Sequence, residues 1–383
     1  MEPIKNTTDR LNLTRLLLLP LLVVVFFVIA SLTSTIKNDI FTLRQIDRGI
    51  QEAPIELFVK LIGFENQYFS QAINDEQESI SITKLGLELV TQVNLEDIRS
   101  FIGNELPGYA LYDTKILVRG EGTDFTNLPY ESAPPLDVLL QEREMAQKEL
   151  EELNKSEPKP PPINTIANNK ILIYQSHNYE SFLPLLGLPP DTDADKAFDS
   201  KTNMTVVGDM LGKALEANGI GAIVDKTNMG EELKKKGWGT EKAYTVSRSI
   251  VTSAMASNNE IEYLIDLHRD SSRREITTAT INNKPYAKVF FVVGSASDNY
   301  DKSLAFANDI HKALESQYPG ISRGIFEKGY NEGNGVYNQD LSENSILIEI
   351  GGVDNNMKEI KNTVDALAKE ISNYFWEAEK VNN

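Results

Sequence analysis

Residues 171–182 read ILIYQSHNYESF and residues 263–271 read YLIDLHRDS. In each, a short apolar run ends just before a histidine. Runs of four or five apolar residues bounded by polar ones fit strands buried on both faces, so 171–174 and 263–267 are read as strands. Between them, 204–218 has helical apolar spacing and stops at Gly219, 220–224 reads as a strand, and 244–258 as a second helix. Further on, 288–293 and 345–350 read as strands, with a helix over 300–318 that Pro319-Gly320 ends. This alternation predicts an α/β domain over 170–380, a mostly parallel sheet flanked by helices. Such sheets present their ligands at the carboxyl ends of strands.

Both histidines stand at such ends, and the whole chain has only three. Glu180 follows His177 at a spacing that brings imidazole and carboxylate to one side. With His268 they make a candidate three-ligand set for Zn²⁺, the fourth position being left to water. Bound zinc lowers the pKa of water from 15.7 toward roughly 7 and polarises a carbonyl. A general base is then needed. Glu349, inside the apolar run ILIEIGG at 346–352, is the candidate, because a carboxylate in such a strand must be paired or working. Gly351 and Gly352 permit a sharp turn and close backbone approach to substrate. Arg248, Arg269, Arg273 and Arg274 are candidate carboxylate contacts. Each residue also has a bland reading: packing for a lone histidine, a helix-start charge for Glu180, a buried ion pair for Glu349, a solvated cluster for the arginines. His311, among charged neighbours in the 300–318 helix, is read as a surface side chain and left out of the site.

The 383 residues carry 38 Lys and Arg against 56 Asp and Glu, a formal charge of −18. No nucleic acid partner is expected, since phosphate recognition needs a basic face. Cysteine is absent, which excludes disulfides, thiol nucleophiles and Cys-ligated metal. Near the start, residues 16–36 carry no charge, and 16–32, LLLLPLLVVVFFVIASL, are apolar enough to form a transmembrane helix. Lys5, Arg10 and Arg15 place residues 1–15 in the cytoplasm and the rest of the chain outside. A cleaved signal peptide shares these features, but this apolar core is longer than a usual one and 30–35 is a poor cleavage pattern. Residues 37–130 are read as a small helical region, with Ile55, Phe58, Val59 and Ile62 at helical spacing. Residues 131–169 are read as a Pro/Glu/Lys-rich linker, in which Pro158 and Pro160 to Pro162 are stiff and extended.

SHNYESFLP at 176–184, VVGDMLGKALEANG at 206–219, YTVSR at 244–248, IDLHRDS at 265–271, YPGISRGI at 318–325 and GVYNQDLSENSILIEIGGVDN at 335–355 resemble the stage II sporulation protein P amidases. That resemblance covers about 170–370 and implies a fold like that of zinc N-acetylmuramoyl-L-alanine amidases. It implies peptidoglycan hydrolysis by amidase activity, with endopeptidase cleavage of cross-links, during forespore engulfment and alongside stage II sporulation proteins D and M. On this resemblance His177 and His268 match the metal-site histidines and Glu349 the glutamate of the final motif, where Asn338 and Gln339 are further candidate substrate contacts. Related amidases take their carboxylate ligand from the start of the next helix, where this chain has Asn203. Many members have His-x-His in the first motif, where this chain has Gln175, expected to support the site through a hydrogen bond. A catalytically degenerate wall-binding scaffold and a zinc carboxypeptidase-like peptidase remain as alternatives.

Overall fold

The computed structural model describes residues 115–124, 127–129, 134–154, 167–330 and 333–382, all within one compact unit spanning 103–383. The expected cytoplasmic tail and membrane span lie outside the described residues, as does nearly all of the expected helical region. Among the described residues no helix is long and apolar enough to cross a membrane.

In chain order the elements are β1 (Lys115–Arg119), α1 (Leu136–Leu139), α2 (Gln147–Asn154), β2 (Ala167–Tyr174), α3 (Met204–Ala217), β3 (Ile220–Val224), α4 (Met229–Lys236) and α5 (Ala243–Ser257). They continue with β4 (Tyr263–Asp270), α6 (Arg274–Thr277), β5 (Thr278–Ile281), β6 (Lys284–Ala287), β7 (Val289–Gly294), α7 (Tyr300–Gln317), β8 (Ser322–Lys328), β9 (Asn344–Gly352) and α8 (Met357–Asn382). Seven strands form one sheet in the order β1-β8-β7-β9-β4-β2-β3. β3, β2, β4 and β9 run parallel to one another, β7 is antiparallel to β9, β8 is parallel to β7, and β1 is antiparallel to β8. The sheet is therefore mixed, with its parallel half where the histidine-bearing strands were expected. The chain turns between β4 and β7 through the β5–β6 hairpin, whose Asn282 and Asn283 take φ of 51° and 60°. Two successive positive-φ residues suit a two-residue hairpin loop, and Asn tolerates that conformation best after Gly.

Every residue of β4 and β7 is buried, which accounts for the unbroken apolar run of β7 and leaves Asp266 and His268 of β4 as buried polar groups that need partners. On one face Ile173, Ile265, Phe291 and Ile348 pack against Leu211 of α3, Phe306 of α7 and Leu367 of α8. On the other, Leu172, Tyr174 and Leu264 meet Val251 of α5. Further along that second face Phe290, Val292, Phe326 and Leu347 pack with Tyr244, Tyr337 and Leu128. β3 lies on one side of β2 and β4 on the other, so chain order reverses at β2. Connections leaving to opposite sides open a crevice at the carboxyl ends of β2 and β4.

Residues 136–154, read as linker from the sequence, hold α1 and α2 against the domain. Leu139 is buried, and Glu149 Oε2 accepts the backbone N–H of Met357 at 2.7 Å, at the start of α8. β1, within the region read as helical, extends the sheet. His311 is buried too, its Nδ1 2.8 Å from Ser322 Oγ, so it is a packing residue and not the surface side chain expected.

Candidate metal centre

β2 ends at Tyr174, and the chain turns sharply through 176–180, where the Glu180 N–H donates to the His177 carbonyl at 3.0 Å. The turn is held from below by α3, whose Met204 N–H bonds the carbonyls of Asn178 and Glu180 at 3.1 and 2.9 Å. Asn203 caps that helix, its Oδ1 accepting from the Thr205 N–H at 3.1 Å and its Nδ2 donating to the Asp199 carbonyl at 3.0 Å. It is occupied as a cap, so the carboxylate of this site comes from the turn itself.

His177, Glu180 and His268 each offer one ligand atom, and these atoms lie within 4.8 Å of one another. His177 Nδ1 stands 3.7 Å from Glu180 Oε1, and His268 Nδ1 stands 3.7 Å from Glu180 Oε2. These separations are too long for hydrogen bonds and close to the edge of about 3.4 Å that zinc's bond lengths give a tetrahedron. Both ring nitrogens of His268 are buried and neither makes a hydrogen bond among the described residues, so the ring is open to a ligand that the protein itself does not supply. Two imidazoles and a carboxylate are also a donor set that catalytic zinc accepts. The residues present thus fit a zinc ion.

The rings are held in place by aromatic neighbours. Tyr244 lies edge-on to His177 at 5.3 Å and nearly parallel to His268 at 6.2 Å, while Tyr179 stacks on His177 at 5.6 Å. His268 and Glu180 are buried; the His177 side chain keeps 14% of its surface exposed, so the site opens on that side. Burial pushes the Glu180 carboxyl up, but the adjoining His177 and His268 and the charge of Arg269 outweigh it and hold it below the ordinary range. Burial lowers His268, yet Asp266 and then Glu180 more than reverse that and leave its pKa well above the usual value.

Glu349 on β9 is the register partner of His268 on β4, so both side chains leave the same face of the sheet. On its other side Glu349 is paired with Phe290. Just beyond, the register shifts by one residue before Asp270 meets Gly352. Gly351 has a φ of 66°, and a Cβ on Gly352 would lie 2.2 Å from the Ser272 carbonyl oxygen. Gly351 thus makes the sharp turn that the sequence reading expected, while Gly352 is packed against Ser272 within the chain, where that reading expected close approach to substrate.

The remaining site candidates are engaged internally. Arg269 is buried, donating to Ser271 Oγ and the Ala197 carbonyl at 3.1 Å each, while its backbone N–H bonds Glu180 Oε2 at 2.9 Å. Arg248 forms a two-pronged pair with Asp340 at 2.7 and 2.6 Å. Asn338 Nδ2 donates to Ser247 Oγ at 2.9 Å, and Gln339 bridges Gly294 N–H and the Val292 carbonyl at 2.9 and 2.8 Å. Arg273 reaches the Thr192 carbonyl at 2.9 Å, and Arg274 pairs with Glu359. Gln175 points to the α3 side, against Gly208, and its amide has no hydrogen-bond partner among the described residues. The expected support of the site by a Gln175 hydrogen bond is not found, because Gln175 lies on the α3 face of the sheet while Ser176 lies on the opposite face, where its hydroxyl meets Asp266. Sequence reasoning missed Asp266, whose Oδ1 lies 3.1 Å from His268 Nε2. Its signal was present: a carboxylate in an apolar strand, two residues before the histidine and so on the same face.

The family model described as stage II sporulation protein P (SpoIIP) matches residues 96–372. The chain belongs to the stage II sporulation protein P family. A curated relative of that name from Bacillus subtilis (strain 168) is 45% identical over 364 residues, covering 94% of this chain and 90% of the relative. Among solved structures, an N-acetylmuramoyl-L-alanine amidase from Clostridium difficile 630 aligns with 57% of this chain and 100% of its own, at 14% identity and a TM-score of 0.32. The CwlD amidase from Clostridioides difficile, solved in complex with the GerS lipoprotein, aligns with 54% of this chain and 98% of its own, at 14% identity and a TM-score of 0.33. For this stage II sporulation protein P family member, scores at that level fix neither strand register nor side-chain roles.

Proposed function

We propose that the chain is a membrane-anchored, zinc-dependent peptidoglycan hydrolase, an N-acetylmuramoyl-L-alanine amidase with endopeptidase activity. It works in forespore engulfment, with stage II sporulation proteins D and M as partners. The observation that carries the catalytic part is the convergence of His177, Glu180 and His268 within 4.8 Å, beside Glu349 in register with His268. Family membership supports the sporulation role, and the charge-free stretch 16–36 behind three basic residues supports a single span with the hydrolase outside the mother-cell membrane, facing the septal space.

His177, Glu180 and His268 would hold the zinc. When bound, the ion supplies Lewis-acid polarisation of the scissile amide carbonyl and acidifies water. Glu349 takes the proton of the attacking water and delivers it to the leaving nitrogen. Arg269 places its charge behind Glu180 and is shielded from substrate. Arg248, Asn338 and Gln339 brace the loop before β9 and so shape the wall of the crevice.

The purified full chain is expected to hold about one zinc, lost in His177→Ala and His268→Ala. Glu349→Ala keeps the metal and digests sacculi roughly 10²- to 10⁴-fold more slowly. Digestion by that variant at the parental rate would remove Glu349 from its role. Mass analysis of the products separates the remaining readings: free stem peptides for the amidase, single terminal residues for a carboxypeptidase, none for a scaffold.

A further inference from the structure

Behind His268 lies a line of buried polar side chains that the reaction above does not use. Asn338 Nδ2 donates to Ser247 Oγ at 2.9 Å, Ser247 Oγ lies 2.8 Å from Ser176 Oγ, and Ser176 Oγ donates to Asp266 Oδ2 at 2.6 Å. The Ser176 backbone N–H adds a second bond, to Asp266 Oδ1 at 2.9 Å. All four residues are at most 3% exposed. The Asn338 NH₂ can only donate and the Asp266 carboxylate can only accept, so the Ser176 hydroxyl proton points to Asp266, and the Ser247 hydroxyl, which also reaches the Tyr244 carbonyl at 3.3 Å, is the donor left for Ser176 Oγ at 2.8 Å. The same carboxylate stands 3.1 Å from His268 Nε2, while His268 Nδ1 faces Glu180.

The geometry points to Asp266 as the positioning residue of the metal centre: its carboxylate, 3.1 Å from Nε2, accepts the Nε2–H of His268 once a metal turns the ring into line, and leaves Nδ1, which faces Glu180, as the ligating nitrogen. Ser176, Ser247 and Asn338 hold that carboxylate in turn, so the turn after β2, helix α5 and the loop before β9 are tied to a single ligand. A histidine ligand whose second nitrogen donates to a carboxylate is more basic and better oriented than a free one. Placing the carboxylate on the same strand two residues away makes the pairing a product of β4's pleat.

The inference rests on the zinc reading, and its test separates the two. Zinc affinity of the full chain is measured by chelator competition for wild type, Asp266→Asn, Asp266→Ala and Ser176→Ala, with thermal melting of the metal-free proteins alongside. Nitrogen-15 labelling of histidine then reports which ring nitrogens carry protons and which bind the metal. We expect zinc binding weakened about 10- to 100-fold in the Asp266 variants and less in Ser176→Ala, with the metal-free Asp266 variants melting below wild type because Ser176 loses its acceptor. In the zinc-loaded wild type the His268 Nε2 proton exchanges slowly, and in Asp266→Asn, which lacks the charged acceptor, that proton exchanges faster. Variants within twofold of wild type in affinity, or metal on Nε2 of His268, would overturn this inference and leave the zinc reading standing. A wild-type chain that takes up no zinc would overturn both. Ser176→Ala, which keeps Asp266 and its charge, covers the case in which the Asp266 variants fail to fold.

Discussion

Glu180 sits between two imidazoles and accepts a backbone N–H from Arg269. His268, in turn, sits between two carboxylates. The two residues carry opposite pH signatures. His268 has a folded pKa raised above its ordinary 6.5, so its contribution to the metal-free fold is fully present below about 6.5 and lost as pH rises through the folded value. Glu180, held below its ordinary 4.5, contributes above about 4.5 and loses that contribution as pH falls through its own folded value. The site therefore stabilises the metal-free protein between these limits. Denaturation midpoints of the metal-free chain should decline as pH climbs above neutrality, and the decline should be shallower in His268→Gln. Zinc affinity follows the reverse course, increasing with pH as the metal competes with the proton for His268. An unchanged midpoint from mildly acidic to alkaline pH would show that the raised His268 value is not felt. The candidate ligands were legible in the sequence because each follows or ends an apolar run. Asp266 carried the same signal as Glu349, an acid in an apolar strand, but its meaning is set by a ring that the folded strand places beside it.

At the level of elements, the turn carrying His177 and Glu180 is clamped to the first turn of α3, so helix and ligands form one unit. Removing the Asn203 cap by Asn203→Ala should cost about 1 kcal/mol, read from urea denaturation. If cap and ligand turn are coupled as described, the same variant also weakens zinc binding; loss of stability with unaltered affinity would show the helix end to be independent of the site. The strands that were read correctly, β2, β3, β4, β7 and β9, are those with nearly continuous apolar runs. β8 went unread because Arg323, Glu327 and Lys328 interrupt its pattern, although Arg323 is buried in a pair with Asp270. α8 went unread although Ile360, Val364, Leu367, Ile371 and Phe375 recur at helical spacing and are all buried. The hairpin β5–β6 rests on an Asn-Asn turn whose chemistry is visible only once positive φ is considered.

Across the whole molecule, the compact unit begins well ahead of the region where strands and helices alternate in the sequence. Composition around 131–169 signals a linker, since Pro, Glu and Lys suit solvated chain, but composition does not register a single buried acid meeting a helix start. Glu149 and Met357 N–H form that contact across 208 positions of sequence. Glu149→Ala should destabilise the unit by about 1.5–3 kcal/mol, the value of a hydrogen bond to a charged group, measured by chemical denaturation of the full chain. A change under about 0.5 kcal/mol would show that 136–154 is only laid against the surface.

The two outer strands of the sheet, β1 and β3, each span five residues among those described. A sheet margin is where a foreign backbone can add itself, and a brief margin offers it few amide and carbonyl groups to zip onto. Brought together at high concentration, molecules framed in this way are poorly suited to strand-by-strand stacking, so their encounters fall to side-chain surfaces.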